Sequence, residues 1–588
     1  WWPMILSIVD SNIDANIGEL GGGIHIEDAS VAVKNTKMNK NVANHTKNGG
    51  GGAVYMTANS LLTSFIGEEV TFNANSAPYT NGGSVFISSK NKKEYQALFE
   101  LKNSKMTASE AYQNGGHIYA EQAMLDLTEV TFNDGLLTRY KSTLGGTIYS
   151  KDAHIVAKKV DFGTSIGGTG GCIYASKSNL TMSNIKFHNC QATSVGGAVY
   201  ATDKTILTTQ APLNKFYENK AESGAGLYVT MQSDVHLDQV EFQNNKASGD
   251  WGGDGAAIFI QRASVNIENS KLISNEAQSA GGAVYVDSRG TLTSKQGNVQ
   301  WTTNDAPRGG AMMIGRYATV NVWKHQFLLN TAIEAGAAVA SSSNKKTKKR
   351  GYPIIMTECD FHNNSVSLPD SDFVGAETYG GGMDLNRASA KLIKCKFKGN
   401  TAEVGGGLSI RGRNCELTLE GTVFEMNVAA EGGGVYGTGK SIVHVHGNTR
   451  FVSNVARGDR GCGGGMLMAE KSELNMIEET ELNITKQNMY GAATAAPSDA
   501  SDASDASGVD SKSGVPDTAK TYYNEHAPKH TMDTIGTLQP VPMKTNVAGF
   551  IDNTADYGGG LCMRDNSRIR ASGVNFTTNK ASSGGGGF

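Results

Sequence analysis

Apolar and polar residues alternate along this chain in short runs broken by glycine and asparagine. In residues 115–135, GGHIYAEQAMLDLTEVTFNDG, two such runs follow one another: Ile118-Tyr119-Ala120, then Leu125 to Phe132. Period-two alternation predicts strands with one buried face. No long segment carries the 3.6-residue period of a helix. A phrase recurs throughout: an aromatic, two variable residues, asparagine, often alanine, then glycines and an apolar-aromatic pair. It reads FYENKAESGAGLYV from Phe216, FKGNTAEVGGGLSI from Phe397, FEMNVAAEGGGVYG from Phe424 and FIDNTADYGGGLCM from Phe550. The glycine half returns about 18 times between Gly21 and Gly584, most often every 26 to 30 residues.

Roughly three short strands and their turns within each such period predict one coil of a parallel β-helix. The expected fold is therefore all-β: a single-stranded parallel β-helix solenoid of about 18 coils, three short strands per coil. At ~4.8 Å per coil it would run on the order of 85 Å. In-register stacking places like residues above one another. The position after the glycines is apolar in nearly every copy, from Ile24, Val54 and Val85 to Val435, Met466 and Leu561, and so belongs to the core. The phenylalanines of the F-x-x-N half should stack inward. Each asparagine can bond the turn backbone and its counterparts above and below.

Two stretches break the period. The surplus between Gly336 and Gly380 contains a basic loop, SSSNKKTKKRGYP, at 341–353. Its cations Lys345, Lys346, Lys348, Lys349 and Arg350 read as a solvated loop, or as a contact for an acidic partner. A longer excess precedes Gly558. Residues 491–520, GAATAAPSDASDASDASGVDSKSGVPDTAK, are acidic, low in complexity and poor in apolar residues. The expected organisation is repeats over 1–490, an acidic and polar insertion within one coil over 491–547, and repeats resuming over 548–588.

Composition narrows the function. Glycine numbers 72 and proline 11 in 588 residues, which fits many tight turns and neither collagen nor a proline-rich linker. The net charge of −3 provides no global field for nucleic acid. Seven cysteines are too few for a disulfide scaffold. No apolar run approaches the ~20 residues of a membrane-spanning helix, so anchoring would fall to segments outside this chain. The chain starts at Trp1 and stops inside a glycine phrase, and so reads as an excerpt.

The repeat resembles the passenger regions of the chlamydial polymorphic outer-membrane proteins, which carry many GGA[ILV] and FxxN tetrapeptides. GGAV stands at Gly51–Val54, Gly196–Val199 and Gly281–Val284, and FxxN at Phe216–Asn219, Phe242–Asn245 and Phe327–Asn330. The resemblance covers almost the whole chain apart from the insertions. It implies a right-handed parallel β-helix, surface exposure and adhesion.

Candidate chemistry is sparse. Gly434 to Ser441, GVYGTGKS, spells the phosphate-loop pattern, but that site needs a helix after Lys-Ser. Here IVHVHGNTRF follows, which predicts a strand, so no nucleotide and no cofactor is expected. His444 and His446 share one strand face and could hold a metal, but no third ligand is evident, and ordinary surface or core histidines fit better. No Asp-Asp pair and no clustered carboxylates are visible, so no catalytic residue is assigned and a non-enzymatic protein is expected.

The outstanding surface feature is aromatic. Tyr55, Phe86, Tyr119, Tyr149, Tyr174, Tyr200, Tyr228, Phe259 and Tyr285 each follow the core residue in nine consecutive copies. Met313, Ala340, Asp384 and Ser409 interrupt the series, and Tyr436 resumes it. By alternation these rings face outward. They form a stabilising ladder, an interaction stripe for proteins or glycans, or both. Cys359 and Cys395 occupy the same slot in successive copies, either as a disulfide or as buried thiols. Asn44, Asn179, Asn363, Asn483 and Asn575 begin N-x-[ST] sequons, which permit glycosylation and secretion.

The expected protein is an extracellular or cell-surface rod that acts as an adhesin or interaction scaffold on other surface proteins or glycans. The alternatives are a subunit self-associating into an extracellular filament or flagellar or cell-surface hair, and a polysaccharide lyase or hydrolase.

Overall fold

The computed structural model describes residues 5–46, 49–59, 62–90, 97–137, 143–249, 252–344, 346, 352–367, 377–458, 461–476 and 548–588. The predicted insertion at 491–547 and the boundary at 490 lie outside these residues. Among the described residues every regular element is a strand.

One coil illustrates the rest. Ile173–Ser176, Asn179–Ser183 and Lys186–His188 are the three expected strands, and a further two-residue strand, Gln191–Ala192, precedes the next glycines. The chain then returns one layer higher. Ile173 pairs in parallel with Val199, Tyr174 with Tyr200, Leu180 with Leu207 and Phe187 with Phe216. Repeating this step builds long parallel sheets along the coil axis. Two sheets have 18 strands and a third has 17. They are called here the alternating sheet (containing Asn179–Ser183), the phenylalanine sheet (Lys186–His188) and the Val-Tyr sheet (Ile173–Ser176). The result is a parallel β-solenoid.

The core follows from the repeat. Thirteen of the phenylalanine-slot side chains stack in two runs, Phe132 to Phe242 and Trp301 to Phe576, all but the exposed Phe576 inside the solenoid, for example Phe361 on Phe397 at 4.2 Å and Phe451 on Phe550 at 4.6 Å. The core residues of the Val-Tyr sheet close the other side, with Val85, Val199 and Val435 all fully buried. Beside them runs a ladder of buried asparagines. From Asn219 through Asn245, Asn275, Asn304 and Asn330 to Asn364, each side-chain amide donates to the next carbonyl oxygen at 2.9–3.0 Å. Each also donates to a main-chain carbonyl of the preceding coil, as Asn245 does to Phe216 at 2.9 Å. Every polar atom of these buried amides is thereby satisfied, which is what makes their burial tolerable.

The glycines are there because the coils approach closely. A Cβ on Gly433 would lie 2.5 Å from the Val455 carbonyl and 2.6 Å from that of Gly464. Gly432 adopts φ +61°, a left-handed conformation that glycine takes without strain.

Candidate interaction surface

The Val-Tyr strand turns one side chain inward and the next outward, so its tyrosines form a column on the outer face. From Tyr55 to Phe259 consecutive rings stack nearly parallel, with centroids 4.7–5.4 Å apart. Tyr285 ends the series edge-on to Phe259. Outward does not mean open. Tyr149 and Phe259 retain only 9% and 7% of their exposure, and the other rings are half-buried. Each ring covers its neighbours' faces, so the surface presents ring edges and hydroxyls. Burial raises the Tyr119, Tyr174 and Tyr228 hydroxyls above the usual phenol range, and pushes Tyr285 up to about 12. The column therefore offers neutral O–H groups at physiological pH. Tyr119 spends its proton on Glu121 Oε2 at 2.8 Å.

Where the series lapses, the outer face is closed by other means. Met313, Ala340, Asp384 and Ser409 are all buried although they point outward. Tyr285 packs on Met313 and Ala340. Arg411 grips Asp384 with two bonds, Nε to Oδ1 at 2.9 Å and Nη2 to Oδ2 at 2.8 Å, and Ser409 donates to the same carboxylate. The guanidinium also lies 3.6 Å from the Tyr379 ring centre. Tyr436 is half-buried in the next coil.

The other predicted residues fall as follows. Gly434 to Ser441 joins the strands Val435–Thr438 and Ile442–His446, so no helix N-terminus follows Lys440. His444 and His446 share an outward face with ring centres 6.1 Å apart. His444 Nε2 lies 3.5 Å from Glu416 Oε1, and burial lowers its pKa. Lys346 Nζ and the Tyr352 hydroxyl also meet Glu416, at 2.8 and 2.6 Å. The remaining cations of the basic loop lie outside the described residues. Among the described residues no three His, Cys, Asp or Glu side chains are grouped to hold a metal, and no helix is long and apolar enough to cross a membrane. Asn44, Asn179, Asn363 and Asn575 are exposed, and Asn483 lies outside the described residues.

The pairing considered for Cys359 and Cys395 is not made: both are buried free thiols. Each occupies a turn slot held elsewhere by Ser104 and Ser270, whose hydroxyls donate to the carbonyl two residues back. The thiols do the same, to Thr357 at 3.4 Å and Ile393 at 3.5 Å. The disulfides are instead Cys172–Cys190 and Cys462–Cys562, which sequence reasoning missed. A signal for the first was present. Cys172 fills the alanine slot of GGA[ILV], and Cys190 fills the asparagine slot of FxxN. These slots meet across the interior of each coil, as Thr147 and Ser165 show with a 2.8 Å hydrogen bond one coil earlier.

Residues 117–299 match a family model described as a right handed beta helix region. The fold is a right-handed parallel β-helix. No curated protein and no solved structure matches the chain. The matched β-helix segment contains seven of the nine consecutive column rings, Tyr119 to Tyr285.

Proposed function

We propose that this β-helix is a non-enzymatic interaction scaffold exposed at a cell surface or secreted, acting as an adhesin toward other surface proteins or glycans. The observation that carries this proposal is the uninterrupted column of nine rings on the outer face of the Val-Tyr sheet. The solenoid repeats one ring per coil, so a weak contact with each ring edge or hydroxyl is multiplied along the axis. The rings are already immobilised by stacking, so little side-chain entropy is lost on contact.

The test is binding of the purified chain to cultured cells and to a glycan array. Replacing Tyr174, Tyr200 and Tyr228 by phenylalanine keeps the stack and removes three hydroxyls. Binding that falls at least fivefold without a change in thermal midpoint supports the proposal. Unchanged binding removes the column from it. Turnover of a polysaccharide, abolished by one carboxylate substitution, would replace it with the enzyme alternative.

A further inference from the structure

The turn joining each Val-Tyr strand to the following alternating strand lies at one corner of the solenoid. From Lys177 onward this corner carries a cation in most coils, the turn with Met231 and Gln232 being an exception. Lys177, Lys204, Arg262 and Arg289 line a groove of about 760 Å³. Farther along, Arg387, Arg413, Lys440 and Lys471 line a second groove of about 950 Å³. Arg316 stands at the corner between them. All nine side chains are exposed.

Elsewhere on the solenoid some lysines are matched with glutamates one coil away, as in Lys34–Glu68, Lys159–Glu129, Lys246–Glu276 and Lys391–Glu420, while others, such as Lys105 and Lys271, form no ion pair with a described residue. Among the described residues, none of the nine corner cations forms such a pair. Three carboxylates line the two grooves against eight cations: Asp203, which accepts from Ser176 at 2.9 Å, Glu470, which accepts from Thr438 at 2.9 Å, and Asp565. The chain as a whole is slightly acidic, at −3, so the unpaired positive charge is a local feature of one corner.

We propose that this corner binds a linear acidic polysaccharide, bearing carboxylate or sulfate groups, laid along the coil axis. Coils repeat every ~4.8 Å, which sets cations in a row with a spacing suited to a chain of charged sugars. Each contact is weak and solvent-exposed, and the row makes the sum useful. Single-stranded nucleic acid fits less well, because its binding grooves add aromatic faces for base stacking. Tyr317 is the one aromatic residue in the turns that carry these nine cations, and the rings of the column have spent their faces on one another. The site is separate from the tyrosine column, so either can fail alone.

The test uses the whole chain with size-defined heparin oligosaccharides, polygalacturonate oligomers, neutral dextran and oligo-dT, titrated at 50 and 300 mM salt. Binding to either acidic glycan, weakened at high salt and absent with dextran, is expected. Seven of the corner residues, including Lys177, Lys204, Arg262 and Arg289, have φ between +51° and +68°, so asparagine is the replacement that suits their backbone. The quadruple variant K177N/K204N/R262N/R289N should bind at least tenfold more weakly with an unchanged thermal midpoint. The charge-matched control K34N/K159N/K246N/K391N should bind as the parent does. No binding to either acidic glycan, equal loss in the control, or tighter binding of oligo-dT would each overturn the proposal. A corner variant that does not fold is replaced by R387N/K440N/K471N on the second groove, with the same expected loss.

Discussion

The side-chain amide of Asn454 donates to Asn553 Oδ1 at 3.0 Å, although 99 residues separate them in sequence. The next link, Asn553 to Asn579, spans 26 residues at 2.9 Å. The ladder passes the long interruption without a change of geometry. Strand pairing agrees, with Phe451 opposite Phe550 and Val445 opposite Met476.

The interruption should therefore be removable. Three residues, 447–449, link the strand Ile442–His446 to the strand starting at Arg450; Met476 stands level with Val445, and Ala548 with Thr449. Replacing 477–547 by His-Gly-Asn, copied from 446–448, should preserve the circular dichroism spectrum and shift the thermal midpoint by no more than a few degrees. Loss of cooperative melting would show that the excised stretch is needed for folding.

An asparagine inside the ladder should be costly. Asn330→Ala leaves the Asn304 main-chain N–H and side-chain amide without their acceptor, and the Trp301 carbonyl without its donor. A loss of about 3 kcal/mol is expected in denaturant titration. Asn179→Ala, at an exposed strand position, should cost less than about 0.5 kcal/mol. Equal effects would mean that the ladder carries no special stability.

Two buried histidines should make the protein acid-labile. Burial pushes His117 down to about 4 and His325 to about 3, against an ordinary value near 6.5. His325 Nδ1 accepts from Trp301 Nε1 at 3.2 Å, which requires that nitrogen to be unprotonated. The unfolded chain takes up these protons below pH 6.5 while the folded chain does not. Stability is thus complete above pH 6.5 and falls as pH drops toward about 4, by ~1.4 kcal/mol per pH unit for each histidine. Guanidinium titrations at pH 7.5, 6.0 and 5.0 should show the slope, and H117Q/H325Q should flatten it. An unchanged slope in that variant would assign it to other groups.

The Cys172–Cys190 bridge closes an 18-residue loop with a Cα separation of 5.5 Å. Its removal in C172A/C190A should cost about 3 kcal/mol. C172T/C190S copies the hydrogen-bonded pair Thr147–Ser165 and should recover part of that loss. Identical stability of the two variants would argue against the equivalence of the slots.

Asp384 is 2% exposed and held by Arg411. Asp384→Ala should leave the guanidinium partly buried without its partner and cost about 3 kcal/mol. D384A/R411M should be closer to the parent in thermal midpoint. A double variant no better than the single one would show that the pair is not the source of the loss.

The repeat period, the inward phenylalanines, the asparagine ladder and the outward tyrosines were all legible in the chain, because a solenoid converts sequence period into spatial register. Residues 26 to 30 apart become neighbours, so pattern alone assigns core and surface. The sequence likewise placed Cys359 and Cys395 one above the other. What it did not settle is what each side chain does within its layer. Whether a thiol meets another thiol or a carbonyl depends on side-chain direction inside the turn, and the Cys172–Cys190 disulfide joins slots that meet across the coil interior. Whether an outward residue is open depends on what folds over it, as Arg411 does over Asp384. The corner cations were visible one by one in the sequence, but their common row exists only once the turns are stacked.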